Sequence, residues 1–178
     1  MPTYVAFLRA INLGAKRKFP KAAIQAAVES AGGTDVETYI NTGNVRLTIP
    51  LRSRAKVEAA LEKAFEADRG WAVPTIAFTP AELVAIAEDA ERLRAEHGEP
   101  VAHYVTLYKK APTAATAAAL AEVEFEGEQA YVEGRAAHCL LYRSYHESKL
   151  VTSKVFAGLG QGTARNVTVV RALADKWG

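Results

Sequence analysis

At 178 residues and 49% hydrophobic content, the chain is long enough for one domain, or two small ones, with a sizeable core. The net charge of +2 is too small to indicate a class of partner by itself. No apolar run approaches the roughly 20 residues that span a bilayer. Arg9 interrupts the first apolar run, so the N-terminus lacks the basic-then-apolar pattern of a signal peptide. The single cysteine, Cys139, excludes an internal disulfide. We therefore expect a cytoplasmic protein that has no membrane segment, cofactor or metal site.

The first half of the chain alternates strand and helix patterns. We predict strands at residues 3–8, 36–40, 45–49 and 71–78, and helices from Pro20 to the glycine pair Gly32-Gly33 and from Ser53 onward. Residues 41–44, Asn-Thr-Gly-Asn, are of the types that form tight turns. The order βαββαβ is that of the ferredoxin-like unit.

This order predicts which loops are neighbours. In a ferredoxin-like sheet the second strand is parallel to the first, and the third strand lies between them, antiparallel to both. The loop after the first strand and the turn at 41–44 should therefore meet at one edge of the sheet.

The second half repeats the pattern loosely. Thr79-Pro80-Ala81-Glu82 predicts a helix start, and residues 97–100, His-Gly-Glu-Pro, end that helix. We then predict a strand at 103–108, a helix at 112–121, strands at either 123–126 or 130–132 and at 137–142, a short helix after Ser148 and a last helix at 167–177. The fold class is α+β, a ferredoxin-like unit followed by a second, loosely similar α+β unit.

The domain organisation follows from these elements. We expect a ferredoxin-like subdomain over 1–78, a connecting helix over 79–98 and a second subdomain over 99–178. The C-terminal helix, with an apolar stripe that ends at Trp177, is expected to pack on the first subdomain.

The charge is distributed unevenly along the chain. Residues 1–28 hold five Lys or Arg and no Asp or Glu, and residues 148–178 hold five Lys or Arg and only Asp175. The remaining residues are net acidic. If folding brings the two ends together, a basic face forms, whereas separate solvated charges are the alternative.

A basic loop, residues 9–20, joins the first strand to the first helix. It contains Arg9, Lys16, Arg17 and Lys18 together with Gly14, and the N-terminus of a helix follows it. Backbone N–H groups near a glycine, cations and a helix N-terminus all favour phosphate or carboxylate. The spacing of a P-loop is absent, and a solvated basic loop is the alternative.

Two further clusters lie near the C-terminus. Ser148-Lys149-Leu150 forms one, and Arg165 and Asn166 form the other. Asn166 is suited to cap the last helix, which would place Arg165 at its positive end, although Arg165 could equally pair with an acid of the middle segment. The four histidines show no metal-ligand spacing, and Cys139 is expected to be a small core residue.

Together these motifs resemble the bacterial domain of unknown function 1697 family over nearly the whole chain. The matching residues are Leu8, Arg9, Ile11, Asn12, Gly14, Lys16, Lys18, Tyr39, Ile40, Gly43, Asn44, Val45, Ser148, Lys149, Leu150, Arg165, Asn166 and Val169. The chain departs from the family pattern at Ala10, Ala15, Arg17, Val167 and Thr168. The resemblance implies an α+β fold of ferredoxin-like character and implies no function.

We expect a protein that binds phosphate-bearing ligands, either nucleic acid or nucleotide, through a basic cleft. Cations would hold phosphate oxygens, and asparagines would orient sugar or base edges. The predicted binding residues are Arg9, Asn12, Gly14, Lys16, Lys18, Asn41, Gly43, Asn44, Ser148, Lys149, Arg165 and Asn166. One alternative is an enzyme that acts on a small phosphorylated or carboxylated metabolite, for which no general base is apparent. The other is a structural or protein-interaction module.

Overall fold

The computed structural model describes all of residues 1–178 and divides them into two compact units. The first unit contains Met1–Leu83 and the last three residues, Lys176–Gly178, and the second contains Val84–Asp175. The division falls inside the third helix of the chain, within the segment that the sequence assigns to a connecting helix.

The first unit has the ferredoxin-like topology. Its strands are β1 (Thr3–Leu8), β2 (Thr34–Tyr39), β3 (Asn44–Thr48) and β4 (Thr75–Phe78), and its helices are α1 (Lys21–Ser30), α2 (Arg54–Arg69) and the start of α3 (Pro80–His97). The sheet order is β2-β3-β1-β4, and all neighbouring strands are antiparallel. The predicted order βαββαβ is confirmed.

The fourth strand is shorter than predicted. The sequence pattern placed it over 71–78, but the ladder with β1 begins only at Thr75. Pro74 has no N–H to donate, although its carbonyl accepts a hydrogen bond from the Arg9 N–H at 2.9 Å.

Helices α1 and α2 cover one face of this sheet. The apolar stripe of α1 (Ile24, Ala27, Val28) and that of α2 (Val57, Leu61, Phe65) are buried against the side chains of β1 and β3. Phe19, at the end of the basic loop, is fully buried, and its ring lies 5.3 Å from that of Phe65. The end of the basic loop is therefore anchored in the core.

The capping box predicted at residues 79–82 is present. The Glu82 carboxylate accepts a hydrogen bond from the Thr79 N–H at 2.8 Å, and the Thr79 hydroxyl accepts one from the Glu82 N–H at 3.2 Å. Both donors at this helix start are thereby satisfied, which explains why the helix begins there.

The second unit repeats the sheet order of the first. Its strands are β5 (Ala102–Tyr108), β6 (Glu128–Glu133), β7 (Ala136–Leu141) and β8 (Gly162–Asn166), arranged as β6-β7-β5-β8. Its helices are most of α3, α4 (Ala114–Ala121), the short α5 (Lys154–Ala157) and all but the last two residues of α6 (Val167–Trp177), and a 3₁₀ turn covers Tyr145–Glu147. The two units are therefore similar α+β folds.

Strand β8 is a correction to the sequence analysis. No element was predicted for residues 162–166 (Gly-Thr-Ala-Arg-Asn), which lie between the short helix after Ser148 and the last helix. The structure pairs Gly162 with Tyr108 and Asn166 with Tyr104 of β5. Of the two alternatives predicted for the strand before β7, residues 130–132 lie in β6, whereas 123–126 do not form a strand.

Cys139 lies in the apolar core of the second unit and is fully buried. Its neighbour in sequence, His138, points to the opposite face of β7, as strand geometry predicts. No helix in the structure combines the length and the hydropathy that crossing a membrane requires.

Candidate functional site

The basic loop folds into a small hairpin. The Asn12 N–H donates to the Arg17 carbonyl at 2.8 Å, and the Lys16 N–H donates to the Leu13 carbonyl at 3.0 Å. Four residues in this loop have positive φ: Ala10, Asn12, Gly14 and Arg17. Left-handed residues at these points let the chain reverse direction within six residues.

The Asn12 side chain holds this hairpin in place. Its Nδ2 donates to the Asn41 carbonyl at 2.7 Å and to the Phe19 carbonyl at 3.3 Å, and its Oδ1 accepts from the Phe19 N–H at 2.8 Å. Three hydrogen bonds engage both polar atoms of the amide. In this structure Asn12 therefore shapes the loop and joins it to the turn at 41–44.

The turn at 41–44 packs directly against the end of β1, as the topology predicts. The Leu8 N–H donates to the Gly43 carbonyl at 2.8 Å. Gly43 has φ +78°, and a Cβ there would lie 2.7 Å from the Leu8 Cβ and 2.9 Å from the Ile11 Cδ1. Only glycine fits this contact without a shift of the neighbouring chain.

Asn44 is also committed to the turn. Its side chain is 1% exposed, and its Nδ2 donates to the Tyr39 carbonyl at 3.1 Å and to the Thr42 hydroxyl at 2.9 Å. Asn41, in contrast, is exposed and contributes its backbone carbonyl to Asn12. Among the asparagines of this unit, Asn41 is the one whose side chain faces solvent.

The hairpin presents three consecutive cations, Lys16, Arg17 and Lys18, which are all exposed. The Arg17 guanidinium lies 5.3 Å from the centre of the Trp71 ring, a cation–π contact. Arg69 lies 5.1 Å from the Phe19 ring and donates to the Lys18 carbonyl at 3.2 Å.

Sequence reasoning missed Arg69 and Trp71 as parts of this surface. The signal was available, because β4 is antiparallel to β1 and its start must therefore lie beside the end of β1. The residues between α2 and β4 are thus brought next to the basic loop. Arg69 is itself ion-paired with Asp68 at 2.6 Å, so its charge is partly neutralised.

In the second unit, Ser148 and Lys149 surround the buried carboxylate of Glu128. The Ser148 hydroxyl donates to Glu128 at 2.6 Å, and the N–H groups of Lys149 and Leu150 donate to it at 2.9 and 3.1 Å. Burial raises the pKa of Glu128, but these hydrogen bonds and the charge of Arg143 outweigh it, so the pKa is lowered. Ser148 is therefore an anchor of its loop, whereas the side chain of Lys149 is exposed.

Arg165 and Asn166 lie at the end of β8. Arg165 is 7% exposed, and its guanidinium donates to the Thr163 hydroxyl at 2.8 Å and to the Ala164 carbonyl at 3.0 Å. Burial lowers its pKa to about 10. The Asn166 Oδ1 accepts from the Thr168 N–H at 2.8 Å, which confirms the predicted cap of α6.

The structure thus gathers Asn12, Asn41, Gly43 and Asn44 around the basic loop of the first unit. Within the second unit, Ser148 and Lys149 lie at Glu128, and Arg165 and Asn166 lie on β8.

A family model identifies the protein family to which the chain belongs. The model of a family described as protein of unknown function, DUF1697, matches residues 1–138. The chain belongs to the DUF1697 family. No curated protein matches it.

A solved structure supports the fold of this DUF1697 chain. The conserved bacterial protein SP0830 from Streptococcus pneumoniae is similar to it with a TM-score of 0.79 and 18% sequence identity. The match covers 99% of this chain and 98% of that one. At this identity the likeness concerns the fold alone.

The DUF1697 chain also contains a buried histidine pair that sequence reasoning missed. The His103 Nε2 and the His138 Nδ1 lie 3.1 Å apart, and the other ring nitrogens are buried without a hydrogen bond. Burial lowers the pKa of His103 to about 3 and that of His138 to about 4. The two residues are 35 positions apart in sequence, and only the pairing of β5 with β7 brings them together. No group of three or more His, Cys, Asp or Glu side chains is arranged to hold a metal ion.

Proposed function

We propose that the protein binds phosphate-bearing ligands, and nucleic acid in particular, through the basic loop of its first unit. The observation that carries this proposal is the exposure of Lys16, Arg17 and Lys18 side by side on a hairpin. A solvated tail of cations would adapt to any anion, whereas the Asn12 hydrogen bonds hold this hairpin in one shape. Its cations are therefore preorganised for a repeating anion such as a phosphate backbone.

The electrostatics of the loop favour an anion. No carboxylate occurs in residues 1–28, and the neighbouring Asp68 is paired with Arg69. Each exposed lysine or arginine that contacts a phosphate releases condensed counterions, which favours binding at low salt.

Trp71 supports nucleic acid as the class of ligand. The indole is partly exposed and lies beneath the Arg17 guanidinium. Unpaired bases stack on aromatic rings and on the planes of arginine guanidinium groups, and this surface offers both. The loop itself contains no Asp, Glu, His or Cys that could act as a general base, which favours binding over catalysis.

The test is a titration of a short fluorescent single-stranded oligonucleotide at several salt concentrations. Three contacts from the hairpin cations predict a slope of log affinity against log salt of roughly −2. Lys18→Ala should flatten this slope by about 0.7. A nucleotide held in one pocket would give a shallower slope and would favour that ligand class instead.

The matched control is Lys56→Ala. Lys56 is also an exposed lysine of the first unit, but it lies near the start of α2, whereas Arg69 ends that helix beside the loop. Lys56 and Arg69 are about 20 Å apart along the helix axis. An equal effect of Lys56→Ala and Lys18→Ala, or no binding even at low salt, would contradict the proposal.

A further inference from the structure

Strand β6 forms one edge of the second sheet. In the order β6-β7-β5-β8, strand β6 has one neighbour, β7. The Tyr142 N–H donates to the Gly127 carbonyl at 2.8 Å, and antiparallel alternation then directs residues 129, 131 and 133 toward β7. The backbone N–H and C=O groups of Ala130 and Val132 therefore point away from the sheet.

One of the outward groups on β6 already has a partner. The Glu128 N–H donates to the Phe125 carbonyl at 3.1 Å, so the preceding segment covers the start of the edge. Ala130 and Val132 follow without such cover, and a row of open donors and acceptors of this kind is a template for another strand.

A groove of about 690 Å³ runs beside this edge. Its walls combine apolar side chains with two tyrosines: Leu120, Val123, Phe125, Leu150, Tyr131 and Tyr142. Val123 is 40% exposed although it is a large apolar residue. Strand addition commonly places alternate side chains of the incoming segment in such a groove.

The charge of the groove selects its occupant. Three carboxylates line it, those of Glu124, Glu126 and Glu128, and no Lys, Arg or His does. The Glu128 carboxylate accepts three hydrogen bonds from within the protein, so the exposed Glu124 and Glu126 supply the charge that an occupant would meet. Residues 122–133 contain five Glu and no Lys or Arg, so a basic strand complements the charge of this edge better than a second copy of β6 does.

We propose that β6 and its groove bind an extended basic segment of another protein, with alternating apolar and basic residues, by strand addition. The backbone of Ala130 and Val132 would hydrogen-bond to the incoming strand. Its apolar side chains would enter the groove, and its cations would face Glu124 and Glu126. This surface shares no residue with the basic loop.

The experiment uses the full chain and a short synthetic peptide of alternating lysine and valine. Binding is followed by fluorescence anisotropy, and amide hydrogen exchange is followed at Ala130 and Val132. We expect saturable binding with slower exchange at these two amides, and binding that is weaker by about tenfold or more for a glutamate–valine peptide. Equal binding of both peptides, or no change in exchange at β6, would overturn the proposal.

Three variants separate the contribution of the β6 backbone from that of the groove's charge. Val132→Pro removes one outward N–H and leaves the bonds to β7 intact, so it should weaken binding, whereas Val132→Ala keeps the N–H and should retain most of it. Glu124→Lys combined with Glu126→Lys changes only exposed side chains and should reverse the preference to the acidic peptide. Sedimentation of the protein alone that shows a dimer abolished by Val132→Pro would also refute the proposal, because a second copy would then occupy the edge.

Discussion

Replacement of Asn12 by alanine tests whether this residue shapes the basic loop or faces a ligand. The change removes three hydrogen bonds, two to Phe19 and one to the exposed Asn41 carbonyl. Water can replace the bond to Asn41, but the groups of Phe19 are partly buried. Each unsatisfied partly buried group costs about 1 kcal/mol, and the third bond contributes about 0.5 kcal/mol.

The backbone conformation of residue 12 adds to the cost of the substitution. Asn12 has φ +53°, a conformation that asparagine tolerates and that costs other L-residues roughly 1 kcal/mol or more. We therefore expect Asn12→Ala to lower the free energy of unfolding by about 3.5 kcal/mol. Urea denaturation followed by tryptophan fluorescence measures this change.

Two controls make the result specific. Asn12→Gly loses the same hydrogen bonds but not the backbone term, so it should be about 1 kcal/mol less destabilising than Asn12→Ala. Asn41→Ala changes an exposed side chain and keeps the carbonyl, so it should stay within about 0.5 kcal/mol of the parent. The reasoning fails if Asn12→Ala is as stable as the parent and only ligand binding changes.

Three other predictions concern stability. Gly43→Ala should destabilise the protein by more than about 2 kcal/mol, because its Cβ would clash with β1. Gly14→Ala places its Cβ in open space and should cost only about 1 kcal/mol. Thermal melts of the two variants measure the difference. The depressed pKa values of His103 and His138 mean that the unfolded chain binds more protons. The free energy of unfolding should therefore fall by up to about 1.4 kcal/mol per histidine and pH unit as the pH drops from about 6.5 to 4. Replacement of both histidines by leucine should remove this loss, and measurements of the free energy of unfolding over that pH range test it. Glu128→Gln should cost about 1–3 kcal/mol at pH 7, with the difference from the parent shrinking as Glu128 of the parent protonates in acid.

The regular elements were largely predictable from sequence. The apolar stripe of α1, the capping box of Thr79 and Glu82, and the strand–turn–strand pattern at 36–49 are all encoded within a few residues. Their order implied the ferredoxin-like topology, and the topology implied that the basic loop and the turn at 41–44 are neighbours. That contact is now visible in the bond from Asn12 to Asn41.

The roles of the site residues were less predictable. Asn12, Asn44 and Ser148 were expected to contact a ligand, but their polar atoms bond within the protein in this structure. A sequence motif marks such residues in the same way whether they bind a ligand or shape the loop. Only the positions of their partners distinguish the two roles.

The sequence by itself determined the element order, the basic character of the loop and the caps of α3 and α6. These depend on periodicity, composition and side-chain-to-backbone bonds within one turn. Tertiary structure alone decided that residues 162–166 form β8, that Trp71 lies beneath Arg17, and that His103 meets His138. The physical reason is that each of these contacts joins residues dozens of positions apart, and their free energy arises only when the sheets assemble.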